Sequence, residues 1–244
     1  MLLYRMRRTI RGVFGLTSTS LTVSAVLCVV IIGINALVWD HMPEPFNGAA
    51  ALGSAGIDLL LAYVAGYIFY VITSVYPEYK KLHLIYFKVM QAETFDIAKD
   101  YADLLSDLAL NGKYIDMFSC LEKFGTKGGQ PLLVEAAKDL SITSVTDTPP
   151  YSTWLDYLTA VNNRERHRIE KMMRFDMEIE LDVKLKLVHL LHSDYAQMLD
   201  DLNKLSDQSR DRAFSCIIYK LHMHLGALYS LQQHVMNVVV GKLL

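Results

Sequence analysis

Two long apolar windows dominate the first third of the chain. No charged side chain lies between Arg11 and Asp40, and between Glu44 and Glu78 the only one is Asp58. A hydrocarbon core of about 30 Å needs about 20 mostly apolar helical residues, and each window exceeds that. The pattern therefore predicts two spans, Thr17 to Trp39 and Ala51 to Tyr76, joined by a short loop with the turn formers Pro43, Pro45, Asn47 and Gly48. Aromatic residues fall at the expected rims, with Trp39 and Phe46 outside and Tyr76 and Tyr79 inside.

After Pro77 the period changes to that of amphipathic helices. Leu82, Ile85, Val89 and Ala92, then Ile97, Tyr101, Leu104, Leu105 and Leu108, form a stripe that stops at Asn111-Gly112. Short helices are expected over 113–124 and from Pro131 to about Leu140. Residues 141–150 (SITSVTDTPP) are linker-like, and Ser152 or Thr153 can cap a helix through Met173. Phe175 to Leu187 alternates strictly, a strand signature. Its Met, Glu, Leu and Lys content and the stripe Met172, Phe175, Ile179, Val183, Leu187 and Leu190 favour a helix instead, running on to Leu205. Ser206-Asp207 opens a terminal helix carrying Phe214, Ile217, Ile218, Leu221, Leu225 and Leu228.

The expected fold class is all-α: a two-span transmembrane helical hairpin followed by a cytoplasmic helical bundle. The expected division is a basic N-terminus (1–16), a membrane hairpin (17–76, outer loop 40–50) and a helical domain (77–244, internal linker 141–150). Orientation follows from Lys and Arg near the spans. Arg5, Arg7, Arg8 and Arg11 precede the first, Lys80, Lys81 and Lys88 follow the second, and the loop between has neither. Both termini are expected in the cytoplasm. The first span is expected to stay as a signal anchor, because its apolar run is long, lacks a small-residue cleavage site and is followed by a second span.

Within the spans the small and polar residues share faces. Ser20, Ser24, Cys28, Ile31 and Asn35 recur along span one, and Ala51, Ala55, Asp58, Ala62, Ala65 and Gly66 along span two. Small stripes allow close helix approach in lipid. They either pack the two spans on each other or assemble several copies. Ser24, Cys28, Asn35, Ala55, Asp58, Ala62 and Gly66 are the candidate packing or gating residues. Asp58 either meets Asn35 at a similar depth or caps the first turn of a span that begins later.

Net charge is −2 and the pI about 6.4, so no basic field points to nucleic acid. The three cysteines, Cys28, Cys120 and Cys216, are far apart and form no CxxC or framework. The mixed charges of Arg164, Glu165, Arg166, His167, Arg168, Glu170 and Lys171 read as a solvated helix face. His189 and His192, three apart near Asp194, resemble half of a helical zinc site but lack a third ligand, and His222 and His224 fall on different faces. There is no GxSxG, phosphate loop or dinucleotide fingerprint, and Arg164 to His167 is too closely spaced for the motif of helical toxin ribonucleases. No catalytic, metal or cofactor residues are assigned. The terminal helix is either the central packing helix of a bundle or a partner-binding element through Phe214, Ile218, Leu221 and Leu225.

The layout of an arginine-headed two-span hairpin (Arg5, Arg7, Arg8, Arg11; Leu21 to Trp39; Ala51 to Tyr76) followed by one helical domain resembles small effector membrane proteins of bacterial anti-phage systems, of the retron or abortive-infection type. That resemblance implies a non-enzymatic inner-membrane effector, held silent by a cytosolic protein partner until its assembled spans disturb the membrane. It implies no residue roles. The alternative expectation is a membrane-tethered scaffold or regulator that binds a cytosolic protein through its helical domain. Membrane lipid and a cytosolic protein are the expected partners, and the chain itself a further one if the hairpins self-assemble.

Overall fold

The computed structural model describes residues 10, 12–37, 48–110, 116–138, 140–142, 144, 150–204 and 207–240, with the side chains of 207–215 excepted. Arg5, Arg7, Arg8 and Arg11, most of the outer loop, most of the linker and the side chain of Phe214 lie outside the described residues. The described residues are helical and include no strand. The chain forms two units, Met1–Leu84 with Val239–Leu244, and Ile85–Val238.

The first unit holds two helices long and apolar enough to cross a membrane, α1 (Thr19–Leu37) and α2 (Ala49–Tyr70). The Thr22 hydroxyl, near the start of α1, lies 2.9 Å from that of Tyr67, near the end of α2, so the two run antiparallel. The less exposed residues of α1 are Thr22, Ala25, Cys28, Ile32, Gly33 and Asn35, and those of α2 beyond its first turn are Ile57, Leu60, Val64 and Tyr67. The latter recur at steps of three and four, the seam of two helices crossing at a shallow angle. Most other apolar side chains point outward: Leu59 is 73% exposed and Phe69 68%.

After α2 the helix widens into i+5 turns over Val71–Val75, where the Tyr76 N–H bonds the Val71 carbonyl, and then resumes as α3 (Tyr76–His83). Pro77 has no N–H to give and its ring crowds the preceding turn, so a widened turn just before it absorbs the misfit without breaking the helix. A second wide turn, Leu84–Met90, leads into α4 (Gln91–Ala109).

The second unit continues with α5 (Met117–Gly125), α6 (Gly129–Ala136), α7 (Trp154–Met173), α8 (Leu181–Leu191), α9 (Asp194–Leu202) and α10 (Asp207–Val238). Helix α10 is its axis, packed by α4, α5, α6, α8 and α9, with Ile217, Ile218, Leu221, Leu225, Leu228 and Leu231 sealed from solvent. The end of α5 crosses it backbone to backbone. A Cβ at Gly226 would stand 2.8 Å from the Gly125 carbonyl oxygen, and one at Gly125 would stand 2.9 Å from that of Leu225, so only glycine fits on either side. His222 reinforces the crossing through Nδ1, 2.7 Å from the Phe124 carbonyl.

Local chemistry sets the boundaries. Thr153 and Asp156 form a reciprocal capping box at the start of α7, and Asp116 accepts from the N–H groups of Phe118 and Ser119 at the start of α5. Two expectations need correction. Residues 174–180 turn rather than continue a helix, and Glu180, extended, donates its N–H to the Tyr86 hydroxyl at 2.9 Å. The helix that follows stops at Leu191, because Ser193 caps a new one by accepting from the Ala196 N–H. The alternation in 181–188 reflects a helix apolar on two sides. Val183, Leu187 and Leu190 face the core, while Leu181, Leu185 and Val188 are exposed.

The charged run of α7 is not a free solvated face. Arg164 and Arg168 both reach Asp100 of α4 (3.3 and 2.6 Å), Arg166 reaches Asp200 of α9 at 2.8 Å, and Lys171 pairs with Glu93. These cations tie α7 to its neighbours.

Candidate functional site

The polar residues that stand out in the second unit are hidden from water. Along α7 the buried stripe Leu158, Val161, Glu165, Ile169 and Met172 contains one carboxylate, and Glu165 is 2% exposed. Opposite it, α10 turns His224 inward, also 2% exposed, and α4 contributes Tyr101. The Tyr101 hydroxyl donates to Glu165 Oε2 at 2.6 Å. His224 Nε2 lies 2.8 Å from Oε2 and 3.0 Å from Oε1 of the same carboxylate. On the other side of the ring, Nδ1 lies 2.9 Å from Ser193 Oγ.

A carboxylate can only accept, so His224 Nε2 carries the hydrogen that points at Glu165. In the neutral ring Nδ1 then has a lone pair, which the Ser193 hydroxyl fills as donor while its oxygen accepts from the Ala196 N–H at 3.2 Å. Every polar atom of the serine–histidine–glutamate–tyrosine chain has a partner, the condition for burying such a network at all. Tyr195 packs on the imidazole with ring centroids 5.0 Å apart, and Tyr101 at 5.5 Å. The Tyr195 hydroxyl lies close to Tyr101 without a hydrogen bond of ordinary geometry. Burial, and then the neighbouring Glu165 carboxylate, push both phenols well above the usual tyrosine range.

The network reaches an open cleft of about 400 Å³. His189 and His192 from the end of α8, Asp194 from α9, and Tyr219, Lys220 and Met223 from α10 form its walls. Ser193, Tyr195 and His224 are the buried residues beneath. Lys220 pairs with Asp194 at the rim; its hydrogen bond holds the Asp194 carboxyl below the ordinary range and raises the lysine in return. Among the described residues no group of three or more His, Cys, Asp or Glu side chains converges as metal ligands would.

The first unit presents a different kind of surface. Of the candidate residues of its apolar pair, Cys28 and Asn35 are half-buried, whereas Ser24, Ala55, Asp58, Ala62 and Gly66 are exposed. Ser24 bonds the Ser20 carbonyl at 2.8 Å. Helix α2 begins at Ala49, behind Gly48 in the left-handed region (φ 93°), so Asp58 lies in the third turn and does not cap it. No hydrogen bond joins Asp58 to Asn35 among the described residues. A Cβ at Gly66 would meet nothing within 4 Å. The small face of α2 is thus open, and bulkier residues make the contact with α1.

Comparison with protein families, with curated proteins and with solved structures finds no match. Geometry therefore carries the reading.

Of the candidate partner residues, Ile218, Leu221 and Leu225 are fully buried in α10 and offer no surface. The exposed apolar stripe belongs to α8 instead, with Leu181, Leu185 and Val188 on one side. Neither that stripe nor the Ser193–His224–Glu165–Tyr101 chain was foreseen from the sequence. A signal for the chain existed, since Glu165 and His224 occupy steps of otherwise apolar stripes.

Proposed function

We propose that the chain is an integral membrane effector of a bacterial inner membrane. In this reading α1 and α2 span the bilayer as a hairpin, both flanks are cytoplasmic, and the helical unit takes a control signal from a cytosolic protein. Release lets hairpins of several copies assemble and disturb the membrane. That step is non-enzymatic.

The observation that carries the reading is the open face of α2, on which Asp58 sits among Ala51, Ala55, Ala62, Ala65 and Gly66, turned away from the Ile57, Leu60, Val64 and Tyr67 seam. An acidic residue at the centre of a membrane helix costs about 2.5–3.5 kcal/mol on insertion scales and normally faces protein or water. Helix α1 does not cover Asp58, so a second copy is the nearest surface of matching shape, and its small residues allow backbones to approach closely. The exposed stripe Leu181, Leu185 and Val188 on α8 supports a helix-groove contact with the controlling partner.

The test is induction of the full chain in bacterial cells with a potential-sensitive dye. Wild-type chain should depolarise the inner membrane, and Asp58→Ala, inserted to the same level, should do so much less. An unchanged potential with the chain fully inserted would overturn the effector reading in favour of a tethered scaffold.

A further inference from the structure

Sequence motifs gave no nucleophile, yet the second unit places a serine, an imidazole and a carboxylate in one hydrogen-bonded line that opens into a cleft. We propose that Ser193 is the nucleophile of an ester-cleaving centre, with His224 as its general base and Glu165 as the residue that positions and supports the imidazole. This is a further activity of the helical unit, separate from the membrane action above.

Three features combine. Ser193 Oγ stands 2.9 Å from His224 Nδ1, within reach for proton transfer, and Nε2 on the far side of the ring stands 2.8 Å from Glu165. The roles of the two ring nitrogens are exchanged relative to the serine-protease arrangement. Proton traffic is the same, since one nitrogen takes the serine proton while the other donates to the carboxylate. Glu165 is itself fixed by Tyr101 at 2.6 Å, so the base has a fully buried support.

Ser193 also immediately precedes α9. Its oxygen accepts from the Ala196 N–H, and the N–H groups of Asp194 and Tyr195, in the same first turn, have no helical partner. Such donors suit an oxyanion. The cleft supplies access, at about 400 Å³ and lined near the serine by His189, His192, Tyr219 and Met223. That volume admits a small carboxylic ester.

In the proposed sequence Ser193 Oγ bonds to the ester carbonyl carbon and its proton passes to His224 Nδ1. The tetrahedral intermediate collapses, the C–O bond to the leaving alcohol breaks, and the alkoxide takes the proton from Nδ1. Water then gives a proton to Nδ1 and attacks the acyl-serine. The acid departs, and the proton returns to Ser193. The products are one carboxylic acid and one alcohol, with no redox partner required.

The full chain in lipid nanodiscs, treated with a fluorophosphonate and mapped by mass spectrometry, decides the matter. Ser193 should be the labelled residue, at a rate roughly 100-fold or more above the urea-unfolded chain, as expected of general-base assistance. Ser193→Gly, which leaves the helix nearly as well capped, should take no label. Glu165→Gln should lower kcat for p-nitrophenyl acetate with KM within about twofold, the split expected of an interaction made in the transition state. If the native wild-type chain labels no faster than the unfolded one, or labels elsewhere, the proposal fails whatever the variants do. It fails equally if folded Glu165→Gln retains the wild-type kcat.

Discussion

The two units of this chain obey one rule with opposite signs. In the α1–α2 pair leucine, valine and phenylalanine point outward and the only charged side chain, Asp58, sits exposed among small residues. In the second unit leucine and isoleucine side chains build a buried core, and a glutamate and a histidine are buried with them beside a serine at the floor of a cleft. A membrane as solvent rewards the first arrangement and water the second. The contrast also separates the costs. The carboxylate of the first unit has no hydrogen bond or ion pair among the described residues, whereas the buried carboxylate of the second has its own tyrosine and histidine.

The sharpest way to break this contrast is to remove the buried carboxylate. Glu165→Ala removes the acceptor of both the His224 Nε2–H and the Tyr101 hydroxyl, which are buried side chains. It should cost about 3–5 kcal/mol in denaturant unfolding of the second unit, because two buried donors lose their acceptor at about 1–3 kcal/mol each. Next in size is a matched pair of truncations. Leu225→Ala, in the core of α10, should cost about 2–5 kcal/mol. Leu59→Ala, at an equally apolar but outward-facing position, should change stability by no more than about 0.5 kcal/mol. Equal losses would mean that α2 is an interior helix of a water-soluble fold.

Gly226→Ala should cost about 1–3 kcal/mol, because its Cβ would press on the Gly125 carbonyl. Smaller still, Thr153→Ala should cost about 1 kcal/mol through loss of the α7 cap. The smallest effect is chemical. Burial pushes the Cys120 thiol up to about 11, so at neutral pH it is protonated and shielded, while Cys216 is exposed. A maleimide at pH 7 should modify Cys216 in the native chain and Cys120 only after unfolding. With the folded pKa raised, ionisation favours the unfolded chain, so the stability tied to Cys120 is intact below pH 8 and falls as pH rises toward 11.

What the sequence made legible was local. The two apolar windows gave α1 and α2, the choice of Ser152 or Thr153 as a cap gave the start of α7, and the stripe from Ile217 to Leu228 gave the inward face of α10. The break before α9 was hidden because His192 and Ser193 sit inside a stripe that reads as continuous, and only the turn of Ser193 onto the Ala196 N–H reveals it. Alternation in 181–188 misleads because it places apolar residues on both sides of a helix. The candidate site was less legible still. Glu165 is embedded in a run of charges whose cations Arg164, Arg166, Arg168 and Lys171 reach Asp100, Asp200 and Glu93, and nothing in a linear pattern brings α4, α7 and α10 together. The open face of α2 was visible as a stripe, but which side of the helix meets α1 depends on packing that the stripe does not encode.

The most direct test of the outward-facing α2 is a single-cysteine scan from position 57 to 69, in a background with Cys28, Cys120 and Cys216 replaced, using a photoreactive label carried on lipid acyl chains. The account predicts strong labelling at 59, 68 and 69, with 57, 60, 64 and 67 protected by α1. Protection of all positions from the acyl label, with modification instead by a water-soluble thiol reagent, would contradict it.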